Sequence, residues 1–494
     1  MRAPAGAVSV PEVAPQNLAV RLAASSFVLA AGSALSSLVA FFTFVAVTRG
    51  LGPDAYGHIT AATAFLFIPA VLAESGLSLA VVRQISAAPE RTEYAMRASV
   101  PIRSLVSLAA IGAALGIGLA LPLPDQTKVA IAIFALGSLF TLLTVNLLPV
   151  LQAQLRMHWA VAANLVGRIA ALGLTIAALA AGLGFKSVVA AQVVGLGITF
   201  LLHAVVVSRL VSLRPIVDKA YWKSLLTGSI VLGVAIALSQ AYFRIDALLL
   251  ALIRSAHEVG LYGAAYKFIE MAGLVSVAFQ TAVFPPLTRF VATGDERARR
   301  LTQNAFDVMV AAAAPLAVGM LVFATPIVVA TAGDDFREGA DALRLLAPYV
   351  LFAFANALFF TLLAAAGRDR RLLTVAGAAL TANVALNVTF IPLYGFRGAA
   401  VVSVATEALI LLAFLPAVRR RGLLPDPSYV VVVAGAAVAM AVVGLTVPGP
   451  AAFAMAAASA VYAFVLLSLP GTARDIVRAQ LVPAIREYVG RARA

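Results

Sequence analysis

The sequence predicts an all-α, multi-pass membrane protein with about fourteen transmembrane helices, and two observations carry that prediction. Of the 494 residues, 62 % are hydrophobic and only 12 % are charged, and the mean hydropathy is +0.99. Soluble domains are nearer half apolar and a quarter charged. The apolar residues also come in blocks of roughly 18 to 26, the length that crosses a hydrocarbon core of about 30 Å as a helix.

Each apolar block predicts a helix rather than a strand. Membrane-spanning strands alternate in polarity over about ten residues, and these blocks show no such period. In chain order the predicted spans are 22–47, 59–82, 100–121, 129–151, 160–182, 186–208, 224–252, 259–284, 303–330, 342–366, 372–393, 398–418, 428–447 and 450–469.

The formal charge of +14 follows the loops of this predicted topology. The two tails and the loops after even-numbered helices hold 26 cations, including Arg83, Arg91, Arg97 and Arg103, whereas the other loops hold 7. The positive-inside rule then places both termini in the cytoplasm. Basicity here indicates membrane orientation, and no nucleic acid partner is predicted. The chain has no cysteine and only four scattered histidines, so no metal or other cofactor is predicted either.

Two sequence matches indicate an internal repeat. GFKSVVAA at 184–191 matches GFRGAAVV at 395–402, and RGLGPDAYG from Arg49 loosely matches RSAHEVGLYG from Arg254. Both offsets map helices one to six onto helices seven to twelve with the same orientation in the membrane. The predicted organisation is a cytoplasmic tail (1–21), an N-lobe (22–208), a cytoplasmic linker (209–223), a C-lobe (224–418), two further helices (428–469) and a basic amphipathic cytoplasmic tail (470–494).

Several ionisable residues fall inside predicted spans, where a charge that faces lipid costs roughly 3 to over 10 kcal/mol. Each is therefore expected to face a wet cavity or a partner. Lys267 and Glu270 share a helical face, so either they neutralise one another or Lys267 meets a substrate phosphate. Arg168 either pairs with a carboxylate or binds substrate. Glu74 and Glu407 lie far from the predicted span ends.

The stretch YFRIDALLLALI at 242–253 places Arg244 and Asp246 inside an apolar block. Two residues apart, they point about 200° apart around a helix and do not pair with each other. One interpretation has both side chains snorkelling at the interface. Because more apolar residues follow Asp246, we prefer a helix that bends or tilts and keeps both residues in the outward mouth of a cleft between the lobes.

Three segments resemble the polysaccharide exporter and O-antigen flippase branch of the multidrug/oligosaccharidyl-lipid/polysaccharide (MOP) exporter superfamily. They are RGLGPDAYG (49–57), YFRIDALLLALIRSAHEVGLYGAAYKFIE (242–270) and NVALNVTFIPLYGFRGAA (383–400). The resemblance covers essentially the whole chain. It implies a MATE-like fold in the bacterial inner membrane that flips an undecaprenyl-pyrophosphate-linked oligosaccharide outward by alternating access. Lipid II flippases share this fold, but the first helix here lacks the basic signature expected of that branch, which disfavours the peptidoglycan precursor.

This resemblance implies roles for the charged residues. Arg244, Lys267 and Arg168 would bind the pyrophosphate and sugar. Four carboxylates would couple transport to H⁺ or Na⁺ or line the cavity, and whether any ion is coupled stays open: Glu74, Asp246, Glu270 and Glu407. The expected partners are the lipid-linked oligosaccharide, membrane lipids, and the polymerase and glycosyltransferases of the same pathway.

Two alternative functions stay open. A drug/cation antiporter of the same fold would have a net acidic, aromatic-rich cleft, which the mixed charges do not favour. A membrane oligosaccharide polymerase or ligase would carry catalytic residues on a long outward loop, whereas every predicted outward loop is short. The sequence has no glycine-rich phosphate loop or nucleophile motif, so a transporter or flippase is predicted rather than an enzyme.

Overall fold

The computed structural model describes residues 15–74, 76–154, 156–367 and 369–468, and every regular element in these ranges is helical. The α-helices are α1 Pro15–Glu74, α2 Leu77–Ala87, α3 Thr92–Ala120, α4 Asp125–Ala153, α5 Met157–Ala180, α6 Gly184–Ser208, α7 Lys219–Ala241, α8 Ile245–Ile253, α9 Ala256–Thr293, α10 Arg297–Val322, α11 Ala324–Ala332, α12 Gly339–Ala365, α13 Asp369–Arg419, α14 Ser428–Thr446 and α15 Ala451–Ser468.

Fourteen membrane spans can be read from these helices, as the sequence predicts. Within the described ranges, 11 helices are long and apolar enough to cross a membrane. Two of them contain a glycine break and therefore hold two spans each, and the α7–α8 pair supplies one more. The predicted all-α, MATE-like fold class is confirmed.

Glycine makes the two breaks possible. Gly52 divides α1 with φ 77°, and Gly395 divides α13 with φ 57°. A side chain with a Cβ rarely adopts this left-handed region, whereas glycine does so at little cost. Gly184, which opens α6 and aligns with Gly395 in the sequence repeat, has φ 73°. The two matched segments therefore share a glycine-dependent turn.

The chain forms two compact units, which divide after Gly260. In the first unit, α7 packs against α1, α2 and α3, and α8 packs against α1. The boundary between compact units thus lies beyond α7, whereas the sequence repeat counts this helix with the C-lobe. The predicted lobes, linker and tails stay a prediction based on the repeat.

In the second unit, α14 and α15 pack together and α14 lies against α10. Tyr462 of α15 donates its hydroxyl hydrogen to the Ala311 carbonyl oxygen at 2.7 Å, and Met440 and Ala436 are buried in the same apolar cluster. The opposite faces are strongly exposed, with Leu445 at 74 % and Phe464 at 71 %. An apolar surface of this kind is suited to lipid.

Some predicted helix ends differ from the observed ones. The first helix begins at Pro15, inside the predicted tail, and α3 begins at Thr92 rather than at residue 100. The first two turns of α3 are amphipathic and carry Glu93, so an apolar block does not reveal them, although an acidic first turn is a helix-start signal. The predicted amphipathic tail at 470–494 lies outside the described residues.

Candidate functional site: charged residues at two helix breaks

The first candidate site is the break between α7 and α8. Helix α7 ends at Ala241, the backbone turns through 242–244, and α8 restarts at Ile245. Of the bend or tilt expected for this apolar block, the structure shows a bend, and it lies at the two charged residues. A break in a membrane helix frees backbone groups that need polar neighbours.

Arg244 occupies the N-cap position of α8 and is half-buried. Its guanidinium carbon lies 5.7 Å from the centre of the Phe67 ring, on the second half of α1. Arginine stacked on an aromatic face gains a cation–π attraction, and its planar guanidinium carries five N–H donors. Such an arginine can bind an oxyanion.

Asp246 is almost fully buried, at 3 % exposure, in the first turn of α8. Its Oδ1 accepts a hydrogen bond from the Ala247 backbone N–H at 2.7 Å. An acidic side chain in the first turn is favoured by the helix dipole. The fold thus stabilises this carboxylate where it lies.

The second candidate site is the break between α1 and α2. Glu74 is the last residue of α1, Gly76 has φ 85°, and α2 begins at Leu77. Arg103 of α3 reaches this break: its Nη2 lies 3.4 Å from both Glu74 carboxylate oxygens and donates to the Ser78 hydroxyl. Its Nη1 donates to the Asn146 carbonyl oxygen at 3.1 Å.

Arg103 differs from the prediction that places this residue among the loop cations. The structure buries it at 1 % exposure, twelfth in α3, because the helix begins eight residues earlier than predicted. A sequence signal was present: Ser99, Arg103 and Ser107 repeat every four residues on one buried stripe of α3. Small polar residues on either side leave room for a long buried side chain.

Arg168 lies on an exposed face of α5, one turn after Asn164. Among the residues that the structure describes, no carboxylate forms an ion pair with it. Both its pairing with a carboxylate and its role in binding substrate stay predictions.

Lys267 and Glu270 lie in the second unit and form an ion pair on α9. The Lys267 Nζ is 2.9 Å from Glu270 Oε2, and each side chain is 28 % exposed. This geometry matches the interpretation in which the two residues neutralise one another. A phosphate contact by Lys267 stays a prediction that would require the pair to open.

Glu407 of α13 is buried at 4 % exposure within a cluster of amides. Asn356 of α12 donates to both Glu407 Oε2 at 2.6 Å and the Glu407 carbonyl oxygen at 2.9 Å. One residue away, Thr406 accepts from Asn383, which in turn accepts from Asn387. Hydrogen-bonded amides satisfy a carboxyl group that would otherwise be costly to bury.

The predicted site residues thus fall into two groups. In the first unit, Arg244 stacks on Phe67, and Glu74 follows Phe67 by two helical turns on the same face of α1, about 10 Å along the axis. In the second unit, the structure shows the Lys267–Glu270 pair and the Glu407 cluster. The roles of all these residues stay predictions.

Comparison with known families gives two matches. A family model described as "Polysaccharide biosynthesis protein" matches residues 22–291, more than half of the chain. A second model, described as "MatE", matches residues 232–389. No curated protein matches the sequence.

Solved structures of MOP transporters are similar in fold. The lipid II flippase MurJ, in an inward closed conformation, is 15 % identical with a TM-score of 0.76, over 91 % of this chain and 98 % of that one. An inward-facing multidrug resistance MATE family transporter is 15 % identical with a TM-score of 0.60, over 78 % and 95 %. A MOP superfamily transporter from Pyrococcus furiosus is 17 % identical with a TM-score of 0.56, over 83 % and 96 %.

At these identities the structural likeness establishes the fold, while the family model establishes membership. The resemblance inferred from the sequence is confirmed at the level of the superfamily. The chain belongs to the polysaccharide biosynthesis protein family, within the MOP exporter superfamily.

Proposed function

We propose that this protein is a flippase for an undecaprenyl-pyrophosphate-linked oligosaccharide used to build a cell-surface polysaccharide, either lipopolysaccharide or exopolysaccharide. It would work by alternating access in the bacterial inner membrane, with both termini in the cytoplasm. Family membership supports the substrate class, and the distribution of cations between alternate loops supports the orientation.

The observation that carries the proposal is Arg244 at the α7–α8 break. A lipid-linked pyrophosphate needs a cation that is held within the membrane region. Arg244 is half-buried on Phe67 at a point where the helix is interrupted. Its planar guanidinium can bind two phosphate oxygens at once. Arg168 and Lys267 would supply further positive charge.

Turnover requires the loaded and the empty protein to change conformation between the two sides. A carboxylate exposed alternately to each side would let H⁺ or Na⁺ drive that change. The candidates are those expected from the sequence: Glu74, Asp246, Glu270 and Glu407. Glu74 and Glu270 are ion-paired in this conformation, so their release would be a step of the cycle.

The second candidate function is a drug/cation antiporter, favoured by the MatE match at 232–389. An organic cation needs an acidic or aromatic binding surface. The pairing of Glu74 with Arg103, and of Glu270 with Lys267, leaves less net negative charge for such a ligand. We therefore rank the antiporter below the flippase.

The experiment depletes the protein in its host and measures which leaflet holds the lipid-linked repeat unit. A flippase defect predicts accumulation on the cytoplasmic leaflet. Accumulation on the outer leaflet would instead indicate a polymerase or ligase, because the substrate would have crossed but not reacted. Unchanged lipid-linked sugar together with increased sensitivity to organic cations would favour the antiporter.

A further inference from the structure

We propose that Arg103 is a positioning residue for transport: it holds the α1–α2 break in one geometry and couples that break to α7. This inference rests on the proposed flippase function. Arg103 was not among the residues expected to take part, and its contacts carry the argument.

The contacts of Arg103 lie on both sides of the break. Glu74, before the break, offers its carboxylate at 3.4 Å, and Ser78, after the break, offers its hydroxyl. The guanidinium is also bonded to the Asn146 carbonyl oxygen of α4. One fully buried side chain therefore joins the end of α1, the start of α2 and a third helix.

The break itself is built to sit close to α7. A Cβ on Gly76 would lie 2.6 Å from the Ser229 carbonyl oxygen and 2.8 Å from the Gly233 backbone nitrogen. Backbone therefore contacts backbone here, and only glycine fits. Any change in the angle between α1 and α2 must move this contact.

Helix α7 leads directly to the second break. It runs from Lys219 to Ala241 and ends at the turn that carries Arg244. Because a helix transmits displacement along its length, bending at Gly76 would shift Arg244 relative to Phe67. The Arg103–Glu74 pair is long for an ion pair, and Glu74 keeps 22 % exposure, so another ligand can reach the carboxylate.

The test compares loss of the pair with its replacement. Arg103→Gln leaves Glu74 unpaired and is expected to reduce flipping about tenfold, with Arg83→Gln, an exposed cation on α2, as the matched control. The double variant Arg103→Met with Glu74→Leu removes both charges, and such apolar replacement of a buried pair often preserves stability. We expect its unfolding temperature to return towards wild type while flipping stays low.

If flipping recovers together with stability, the pair is only structural and the proposal is overturned. A second measurement does not depend on transport. The chain has no cysteine, so spin labels at Leu72→Cys on α1 and Ser86→Cys on α2, both exposed, report the angle across the break. Arg103→Gln should broaden the distribution of distances between the two labels. An unchanged distribution would refute the proposal that Arg103 holds the α1–α2 break in one geometry.

These readouts separate the two proposals. If the wild-type protein flips no lipid-linked oligosaccharide but the label distances respond to Arg103→Gln, the proposed flippase function is wrong, whereas the positioning of the α1–α2 break by Arg103 is supported. If the wild-type protein flips the lipid-linked oligosaccharide and Arg103→Gln does so at the same rate, the role of Arg103 in transport is refuted and the flippase function is supported.

Discussion

Two arginines inside this membrane protein are held in different ways. Arg103 is enclosed by a carboxylate, a hydroxyl and a carbonyl oxygen, whereas Arg244 lies half-buried over the Phe67 ring. Nη1 and Nη2 of Arg103 have hydrogen-bond acceptors, whereas its buried Nε has none among the residues that the structure describes. The first arrangement suits a residue that joins helices, and the second places a cation at a helix break.

Replacing Arg244 by glutamine should reduce flipping about tenfold or more, because a charge-assisted hydrogen bond to phosphate is lost. Arg254→Gln is the matched control. That residue caps the other end of α8 and is paired with Glu258 at 2.8 Å. Polymer export in cells, at equal protein level, provides the measurement. Equal export by the two variants would remove Arg244 from the site.

Asn356→Leu should destabilise the second unit by about 1–3 kcal/mol, because the buried Glu407 loses two hydrogen bonds from this amide. Thermal unfolding in detergent measures the effect. Asn164→Leu, on an exposed face of α5, is the control and should change stability little. Similar unfolding temperatures for the two variants would contradict a stabilising role for the Asn356–Glu407 contact.

The sequence identified Arg244, Asp246 and Glu407 as residues that need partners, because a charge within an apolar block is visible without a structure. It missed Arg103, since the depth of a residue depends on where its helix begins. It also could not choose between the two roles of Lys267, because only coordinates show that the Lys267–Glu270 pair is formed.

At the scale of elements, glycines set how closely the helices approach. Gly57 of α1 and Gly260 of α9 lie at a crossing where the helix backbones touch. A Cβ on Gly57 would lie 1.7 Å from the Ala256 carbonyl oxygen, and one on Gly260 would lie 2.0 Å from the Pro53 carbonyl oxygen. Asp54 and His257 flank the crossing, and His257 Nδ1 lies 3.3 Å from Asp54 Oδ2.

Gly57→Ala is therefore expected to lower stability by about 1–3 kcal/mol or more, since the two backbones must separate. Gly112→Ala on α3 is the matched control because nothing lies within 4 Å of its added Cβ. That control should be neutral or slightly stabilising, as alanine favours a helix. Thermal unfolding of both variants measures the difference. An equal loss of stability would contradict the close backbone contact between Gly57 and α9.

The first turn of α7 is held to α2 and α3 by side-chain hydrogen bonds. Trp222 donates to the Ala98 carbonyl oxygen at 2.8 Å, and Tyr221 donates to Gln84 at 2.6 Å. Asp218 accepts from the Tyr221 backbone N–H at 2.9 Å and from the Tyr94 hydroxyl. These two bonds, the backbone one first, hold the pKa of Asp218 below its ordinary value of 3.8.

A lowered pKa means that Asp218 stabilises this docking above pH 3.8 and that the contribution is lost as pH falls through the folded pKa. Trp159→Phe leaves Trp222 as the single tryptophan of the two in the chain. Its fluorescence should shift to the red on acidification. Asp218→Asn should show the shifted spectrum at neutral pH already, and a wild-type spectrum in that variant would contradict the account.

For the whole molecule, hydropathy blocks predicted the fold class and the fourteen spans because they are local properties, and the resemblance of three segments to a known family predicted the superfamily. Helix ends and the compact units were less predictable. Helix α7 contacts α1, α2 and α3, so the first compact unit extends to Gly260. Contacts between helices that are distant in sequence cannot be predicted from periodicity. The cleft between the predicted lobes stays a prediction.

The central claim is that the protein moves a lipid-linked sugar pyrophosphate between leaflets. Its most direct test places the purified protein in liposomes that contain a fluorescent polyprenyl-pyrophosphate oligosaccharide in both leaflets, followed by a membrane-impermeant quencher. The account predicts that quenching proceeds to the inner-leaflet molecules, and that Arg244→Gln slows this phase. If the inner-leaflet fluorescence stays protected with wild-type protein, as it does in protein-free liposomes, the account is contradicted.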